Sequence, residues 1–336
     1  MSTLIFMKYL ITGITGFAGP HLAKLLLEKG HEVHGVVRAA NGREMDLIDV
    51  IPVDDLSKIK FHYLDLKHYY GVDKLIKEEK FDGVFHLAAQ SHPPTSFKDP
   101  ILTWEENVIS TVNLITAIQG SPTRFMFCST SEVYGDTGKD VGLLSVNSQM
   151  KPSNPYGTSK AAMDMYVQER ATNGFLDGFV TRAFSHTGPR RGKIFSVSSD
   201  AYQIALMKLG LQEKVLKVGN LETERVVIDV RDCVNAYYLL MQNKDSRGKV
   251  FNVCGDEVHK MQHYTDLLIK AAGFKQSEVK QEIYKPFYRP IDIKVQIGDS
   301  KELRELTGWK PTITIEQTMK DLLDYWIKKL DKSAKA

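Results

Sequence analysis

Cysteine is scarce in this 336-residue chain: Cys128, Cys233 and Cys254 are all it has. Three scattered thiols fit neither a disulfide framework nor a CxxC or zinc pattern, so a reducing, cytoplasmic setting is expected. Cys128 lies in an apolar run and reads as a small core residue rather than a reactive thiol. Neither sign of charge is in excess, since 44 Lys and Arg against 41 Asp and Glu leave a net +3. That balance suggests no nucleic-acid or membrane partner, yet it permits a local cationic pocket for an anionic ligand. Long apolar runs are missing too. The opening MSTLIFMKYLITG is too short to span a bilayer and breaks at a glycine turn, so it reads as a buried first strand behind a few ragged residues. Internal repeats and low-complexity tracts are lacking. No His, Cys, Asp or Glu group has metal-ligand spacing, and no metal is expected.

What is present is an ordinary globular composition, 43% hydrophobic and 25% charged, at a length that suggests about two domains. Apolar strand-like runs at Lys8-Thr12, His31-Val37, Ile59-Tyr63, Gly83-His86, Arg124-Cys128 and Gly178-Arg182 alternate with helical patterns. The helices are expected at Ala18-Glu28, Val72-Glu79, Ile101-Ile118 and Pro155-Thr172. Such alternation predicts an α/β protein whose parallel sheet is covered on both faces. Beyond Ser185 the regularity breaks into Pro-, Gly- and Arg-rich loops, with helices at Ser198-Leu209, Val230-Gln242, Met261-Ala271 and Ile315-Ile327. The expected division is a sheet domain of residues 1–184 plus about 225–253, and a smaller α/β substrate-binding domain of 185–224 and 254–330. Residues from Lys332 onward read as a frayed end. The pairs Tyr69-Tyr70 and Tyr237-Tyr238, at helical positions, read as core.

The turn Gly13-Ile14-Thr15-Gly16-Phe17-Ala18-Gly19 joins the first strand to the first helix. Glycines there let the backbone approach a pyrophosphate, and the helix N-terminus supplies unpaired N–H groups. The sheet is therefore expected to be Rossmann-type and doubly wound. An acid ending the second strand would favour NAD; here the strand ends Val36-Val37-Arg38, with Arg43 close behind. A guanidinium suits a 2′-phosphate, and Thr15 adds a hydroxyl, so NADP is expected and NAD is the lesser reading. Tyr156 and Lys160 stand four apart on one predicted helix face. An ammonium beside a phenol lowers its pKa, which suits the pair to proton transfer.

The GxxGxxG turn, Asp65 in Tyr63-Leu64-Asp65-Leu66, Leu87-Ala88-Ala89 and Tyr156-Gly-Thr-Ser-Lys160 together resemble the extended short-chain dehydrogenase/reductase superfamily. The resemblance implies an adenine contact at Asp65 and Leu66. It implies close cofactor approach at Leu87, Ala88 and Ala89, and a Thr130 hydroxyl completing a Thr130/Tyr156/Lys160 set. A helix N-cap is the structural alternative for Asp65. The strand exit Cys128-Ser129-Thr130-Ser131-Glu132-Val133-Tyr134-Gly135 adds a carboxylate. Beside a sugar, Glu132 is able to remove a proton next to a transient ketone; binding a sugar hydroxyl or capping the turn are its alternatives.

That segment resembles the GDP-mannose 4,6-dehydratases, as do Gly30-Arg38, Ala88-Ala89-Gln90-Ser91-His92 and His186-Thr187-Gly188-Pro189-Arg190-Arg191-Gly192. This implies a GDP-sugar substrate, with contacts at Gln90, Ser91, His92, Ser185, Arg190 and Arg191. Arg225 and Arg289 are implied as a pyrophosphate clamp. Val197-Ser198-Ser199-Asp200, Gly219-Glu222, Val230-Asp232 and Thr307-Gly308-Trp309 are closer to GDP-4-keto-6-deoxymannose reductases, and a UDP-glucuronate decarboxylase shares the Ser-Thr-Ser-Glu stretch. The superfamily implies a homodimer, with a tetramer left open. His86 reads as a packed core residue, and His186 as structural or close to the nicotinamide.

Overall fold

A computed structural model describes residues 6–38, 43–288 and 293–335. Its large sheet runs, edge to edge, Val250–Val253, Asp177–Ala183, Arg124–Thr130, Gly83–His86, Lys8–Thr12, Glu32–Val37 and Ile59–Tyr63. Every neighbouring pair is parallel. The chain builds outward from Lys8–Thr12 to one side, then crosses back and builds to the other. A crevice opens at the C-terminal ends of the strands where that direction reverses. Helices Ala18–Glu28 and Val230–Gln242 cover one face through Leu22, Leu26, Tyr237 and Met241. Tyr69–Glu79, Ser110–Ile118 and Pro155–Thr172 cover the other through Val72, Leu75, Leu114 and Val167. With both faces sealed, Lys8–Thr12 and Gly83–His86 carry almost no exposed residue, whereas the edge strand Ile59–Tyr63 stays half open.

A smaller sheet joins Val258–Lys260, Glu224–Asp229, Val295–Gly298 and Leu143–Leu144, with Ser185–Thr187 paired to Glu224–Asp229. Val215–Val218 and Lys280–Ile283 form a separate pair. Helices Ser196–Lys208, Met261–Ala271 and Ile315–Lys335 pack a second core around Ile204, Leu216, Leu268, Met319 and Leu322. The return to the large sheet starts at Val230; Glu224–Asp229 belongs to the small one.

Several local expectations change. The stretch Ile101–Ile118 is not one regular helix: Pro100–Trp104 and Ser110–Ile118 flank a π turn at Glu105–Ile109, which buries Asn107. The last helix continues to Lys335, through the expected frayed end. Tyr70 is 87% exposed, because the buried phase of its helix is set by Val72, Leu75 and Ile76. Folding also assembles a group that sequence spacing hides. His34, His62 and Glu79 bring ligand atoms within 4.8 Å of one another. Those atoms come from two strands and a helix, so no local spacing reveals them. Lys8 and Lys60 hold the Glu79 carboxylate at 3.0 and 2.5 Å, and His34 bonds Glu32 at 2.7 Å, so internal ion pairs already fill the group.

Candidate active site

The glycine turn is built for close approach. Gly13 has φ +73°, and a Cβ there would lie 2.7 Å from Ala88 N. A Cβ on Gly19 would lie 2.5 Å from the Gly13 carbonyl oxygen. The turn itself closes with Gly16 N donating to Gly13 O at 2.9 Å. Thr12 ties it to the fourth strand: Ala88 N donates to Thr12 Oγ1 at 3.2 Å, and Thr12 Oγ1 bonds His86 Nδ1 at 2.7 Å. His86 is fully buried and drawn down to about 3 by desolvation, so it is a neutral core linker, as expected. Phe17 caps the following helix without a side-chain hydrogen bond, and its first turn has no acidic residue. Backbone N–H groups and helix dipole therefore face the crevice, an arrangement that fits a pyrophosphate.

At the adenosine end, Asp65 does not cap a helix. Its Oδ1 accepts from Lys67 N at 2.9 Å, and His68 is the N-cap. Leu66 is buried, and Asn113 Nδ2 donates to its carbonyl at 2.9 Å. Arg38 is exposed and pairs with Glu106 at 2.6 Å, while Lys67 holds Glu106 at 3.1 Å. With the Arg38 guanidinium largely in solvent, this pair is weak enough for a phosphate to displace.

Thr130 ends its strand and receives Glu132 N at 3.3 Å in the Ser131–Tyr134 turn. Tyr156 and Lys160 occupy the first turns of Pro155–Thr172, which starts at the N-cap Asn154 and Pro155. Thr130 lies close enough to the Tyr156 phenol to favour its ionised form. Burial pushes that phenol above its ordinary value; Cys128 and Glu132 push the same way, and Arg191 opposes them with Thr130. This corrects the sequence expectation, which gave the lowering to Lys160. The Lys160 ammonium instead lies 4.2 Å from the Phe127 ring centre and is pulled down to about 8 by desolvation, against Cys128 and Asp164. Asp164 anchors the helix to the sheet through a buried ion pair with Arg182 at 2.9 Å, and Arg182 also donates to the Tyr134 hydroxyl at 2.9 Å.

Glu132 is partly buried, and its Oε2 accepts from Asn154 Nδ2 at 2.8 Å. Asn107 takes Gln90 N at 2.8 Å and donates to Ser159 Oγ at 2.9 Å, which joins the fourth-strand loop to the Tyr156 helix. Sequence reasoning missed both asparagines. Asn154, directly before Pro155, was legible as an N-cap; Asn107, inside an apparent helix, gave no signal beyond being polar.

The Pro-Arg-Arg loop lies elsewhere than expected. Arg190, at φ +75°, donates to Gly16 O at 2.7 Å and Thr15 O at 3.2 Å. Arg191 stacks on Phe195 at 3.5 Å and on Phe17 at 4.7 Å, and burial draws it down to about 10. Both arginines thus close over the glycine turn, where backbone carbonyls and the Phe17 ring receive them. His186 stacks on Phe17 at 5.7 Å and is held down to about 4 by burial. Gln90 is spent inside its loop: Nε2 donates to Thr103 at 2.9 Å and Oε1 accepts from His92 N at 2.7 Å. Ser91 is exposed, and His92 meets Phe195 edge-on at 5.6 Å. Ser185 is partly buried in a strand beside Val227. Arg225 brackets the backbone, donating to Glu224 O, Lys294 O and Ile293 O at 2.8, 3.2 and 2.5 Å, rather than standing open as a clamp. Arg289 lies outside the described residues.

Against this geometry, the model of the GDP-mannose 4,6 dehydratase family matches residues 10–322. The GDP-6-deoxy-D-mannose reductase of Pseudomonas aeruginosa is 31% identical over 95% of this chain and 97% of its own. GDP-mannose 4,6 dehydratase 1 of Arabidopsis thaliana is 30% identical over 94% and 88%. Among solved structures, that of RMD from Pseudomonas aeruginosa complexed with NADPH superposes with a TM-score of 0.79 at 29% identity, covering 96% and 99% of the two chains. A nicotinamide cofactor is thereby supported. Among the described residues no helix is long and apolar enough to cross a membrane.

Proposed function

The chain belongs to the GDP-mannose 4,6 dehydratase family, and from that premise we propose that it removes water from GDP-mannose, or a GDP-manno-heptose, to give the 4-keto-6-deoxy sugar. The enzyme is a dehydratase, a lyase, acting with NADP in preference to NAD in the cytoplasm. A nicotinamide held over the glycine turn would supply reversible hydride chemistry, taking hydride at sugar C4 and giving it back at C6. Tyr156 takes the C4 hydroxyl proton while Thr130 holds the reacting oxygen. Lys160 would hold the nicotinamide ribose. Glu132 then removes the C5 proton, made acidic by the C4 ketone, and passes it to the C6 hydroxyl, which departs as water; when hydride returns to C6, C5 takes a proton back through solvent as Tyr156 releases the one it holds. Arg38 supports the NADP reading. The sheet domain carries the cofactor, and the smaller domain, through Ser185 and Arg289, carries the GDP-sugar.

One observation carries the dehydratase reading: a carboxylate, Glu132, held by Asn154 in the turn after Thr130 and near enough to the Tyr156 phenol to act on it. The 31% identical reductase favours a second reading, in which NADPH reduces a 4-keto-6-deoxy sugar and Glu132 is no base. Incubation with GDP-mannose and catalytic NADP+ tells them apart. Product lighter by one water, without net NADPH, is expected, and Glu132→Gln stops water loss while C4 oxidation continues. No turnover of GDP-mannose, with NADPH consumed only on a keto sugar, overturns the dehydratase reading.

A further inference from the structure

We propose that Asn154 is a positioning residue that fixes the Glu132 carboxylate to the start of the Tyr156 helix; the inference rests on the dehydratase reading and deepens it. The amide orientation is set by chemistry. Gly157 N can only donate, so the atom facing it at 2.7 Å is Asn154 Oδ1. The NH2 group must then face Glu132, where it donates to Oε2 at 2.8 Å. An NH2 group cannot accept, so this bond requires an acceptor oxygen, which Glu132 Oε2 provides. Asn154 is 8% exposed, and its carbonyl also receives Thr158 N at 3.0 Å, so its backbone is held as firmly as its side chain.

The surrounding packing serves the same coupling. A Cβ at Gly157 would lie 2.8 Å from the Glu132 carbonyl oxygen, so a glycine lets the helix start press against the turn. Tyr156 and Glu132 thereby sit on one rigid unit, with Asn154 as the side-chain link between them. Elimination needs this: the phenol works at C4 and the carboxylate at the adjacent C5, in sequence on one substrate pose. A reaction that stops at C4 makes no such demand.

Variants separate positioning from capping. Serine caps helices well but is too short to reach Glu132. Asn154→Ser is expected to keep the melting temperature within a few degrees and KM within about twofold, while kcat for water loss falls up to about 100-fold. C4 oxidation, read as NADPH absorbance in a single turnover, stays near the parent rate. In a Glu132→Gln background the same change brings no further loss. Asn154→Ala removes cap and link together and lowers the melting temperature as well. Unchanged water loss in Asn154→Ser overturns the assignment, as does a parallel fall of both steps or an additive loss beside Glu132→Gln. If the unaltered protein eliminates no water from GDP-mannose, the dehydratase reading falls and takes this inference with it; water loss that ignores Asn154→Ser overturns only the latter.

Discussion

Lys160 is 2% exposed and has been drawn from 10.5 to about 8 by burial, so the folded protein resists the charge that its proposed role needs. Between pH 8 and 10.5 the unfolded chain binds more protons at this residue than the folded one does. Stability conferred here therefore rises with pH across that window, and below pH 8 the full penalty of the buried ammonium applies. A shift of this size corresponds to about 3 kcal/mol. Lys160→Met, of similar length and uncharged, is expected to raise the stability of the cofactor-free protein at pH 7 by up to that amount, to flatten the rise above pH 8, and to abolish turnover. Urea unfolding at pH 7 and pH 10 measures it, and a variant less stable than its parent at pH 7 contradicts the argument. Tyr156 shows why such values were not legible beforehand. The Tyr/Lys spacing is visible in the sequence, but burial, which raises the phenol, and Arg191, which opposes the rise, are products of the fold.

Elements were the most legible scale. The first and fourth strands and the Pro155–Thr172 helix lie where periodicity and turn residues put them, because buried parallel strands and capped helices leave strong local marks. What stayed hidden depends on partners distant in sequence: the π turn that buries Asn107, the Pro-Arg-Arg loop folding back 174 residues onto Gly16, and Arg225 bracketing residues 68 and 69 positions away. The glycine turn sits between these cases, readable as a motif while its tolerances are not. Gly19→Ala forces a methyl to 2.5 Å from the Gly13 carbonyl, a backbone atom with little room to yield. It is expected to cost about 1–3 kcal/mol of stability and to weaken NADP+ binding by more than about tenfold. Gly71→Ala is the control. It lies in the Tyr69–Glu79 helix with nothing within 4 Å of a new Cβ, so a gain of about 0.5–1 kcal/mol is expected with unchanged cofactor affinity. Calorimetry and NADP+ titration check both, and equal affinities for the two variants contradict the close-approach account.

At the scale of the molecule, the Tyr156 helix has two sides with different demands. One packs on the sheet through Met163, Val167 and the Asp164–Arg182 ion pair. The other leaves Met165 53% exposed, and the neighbouring run leaves Ile101, Trp104 and Ile109 72%, 45% and 41% exposed. Large apolar side chains grouped on adjacent helices are costly to hydrate and mark an interaction surface. The homodimer that the superfamily resemblance implies is expected to close here about a twofold axis, each copy offering the same pair of helices. Such an interface would buttress the helix bearing Tyr156, Lys160 and, at its cap, Asn154, so dissociation is expected to reach the active site. Trp104→Lys combined with Met165→Lys is expected to shift sedimentation from dimer to monomer and to lower kcat with little change in KM, while an unaltered protein that sediments as a monomer, or a doubly substituted one that stays dimeric, places the contact elsewhere.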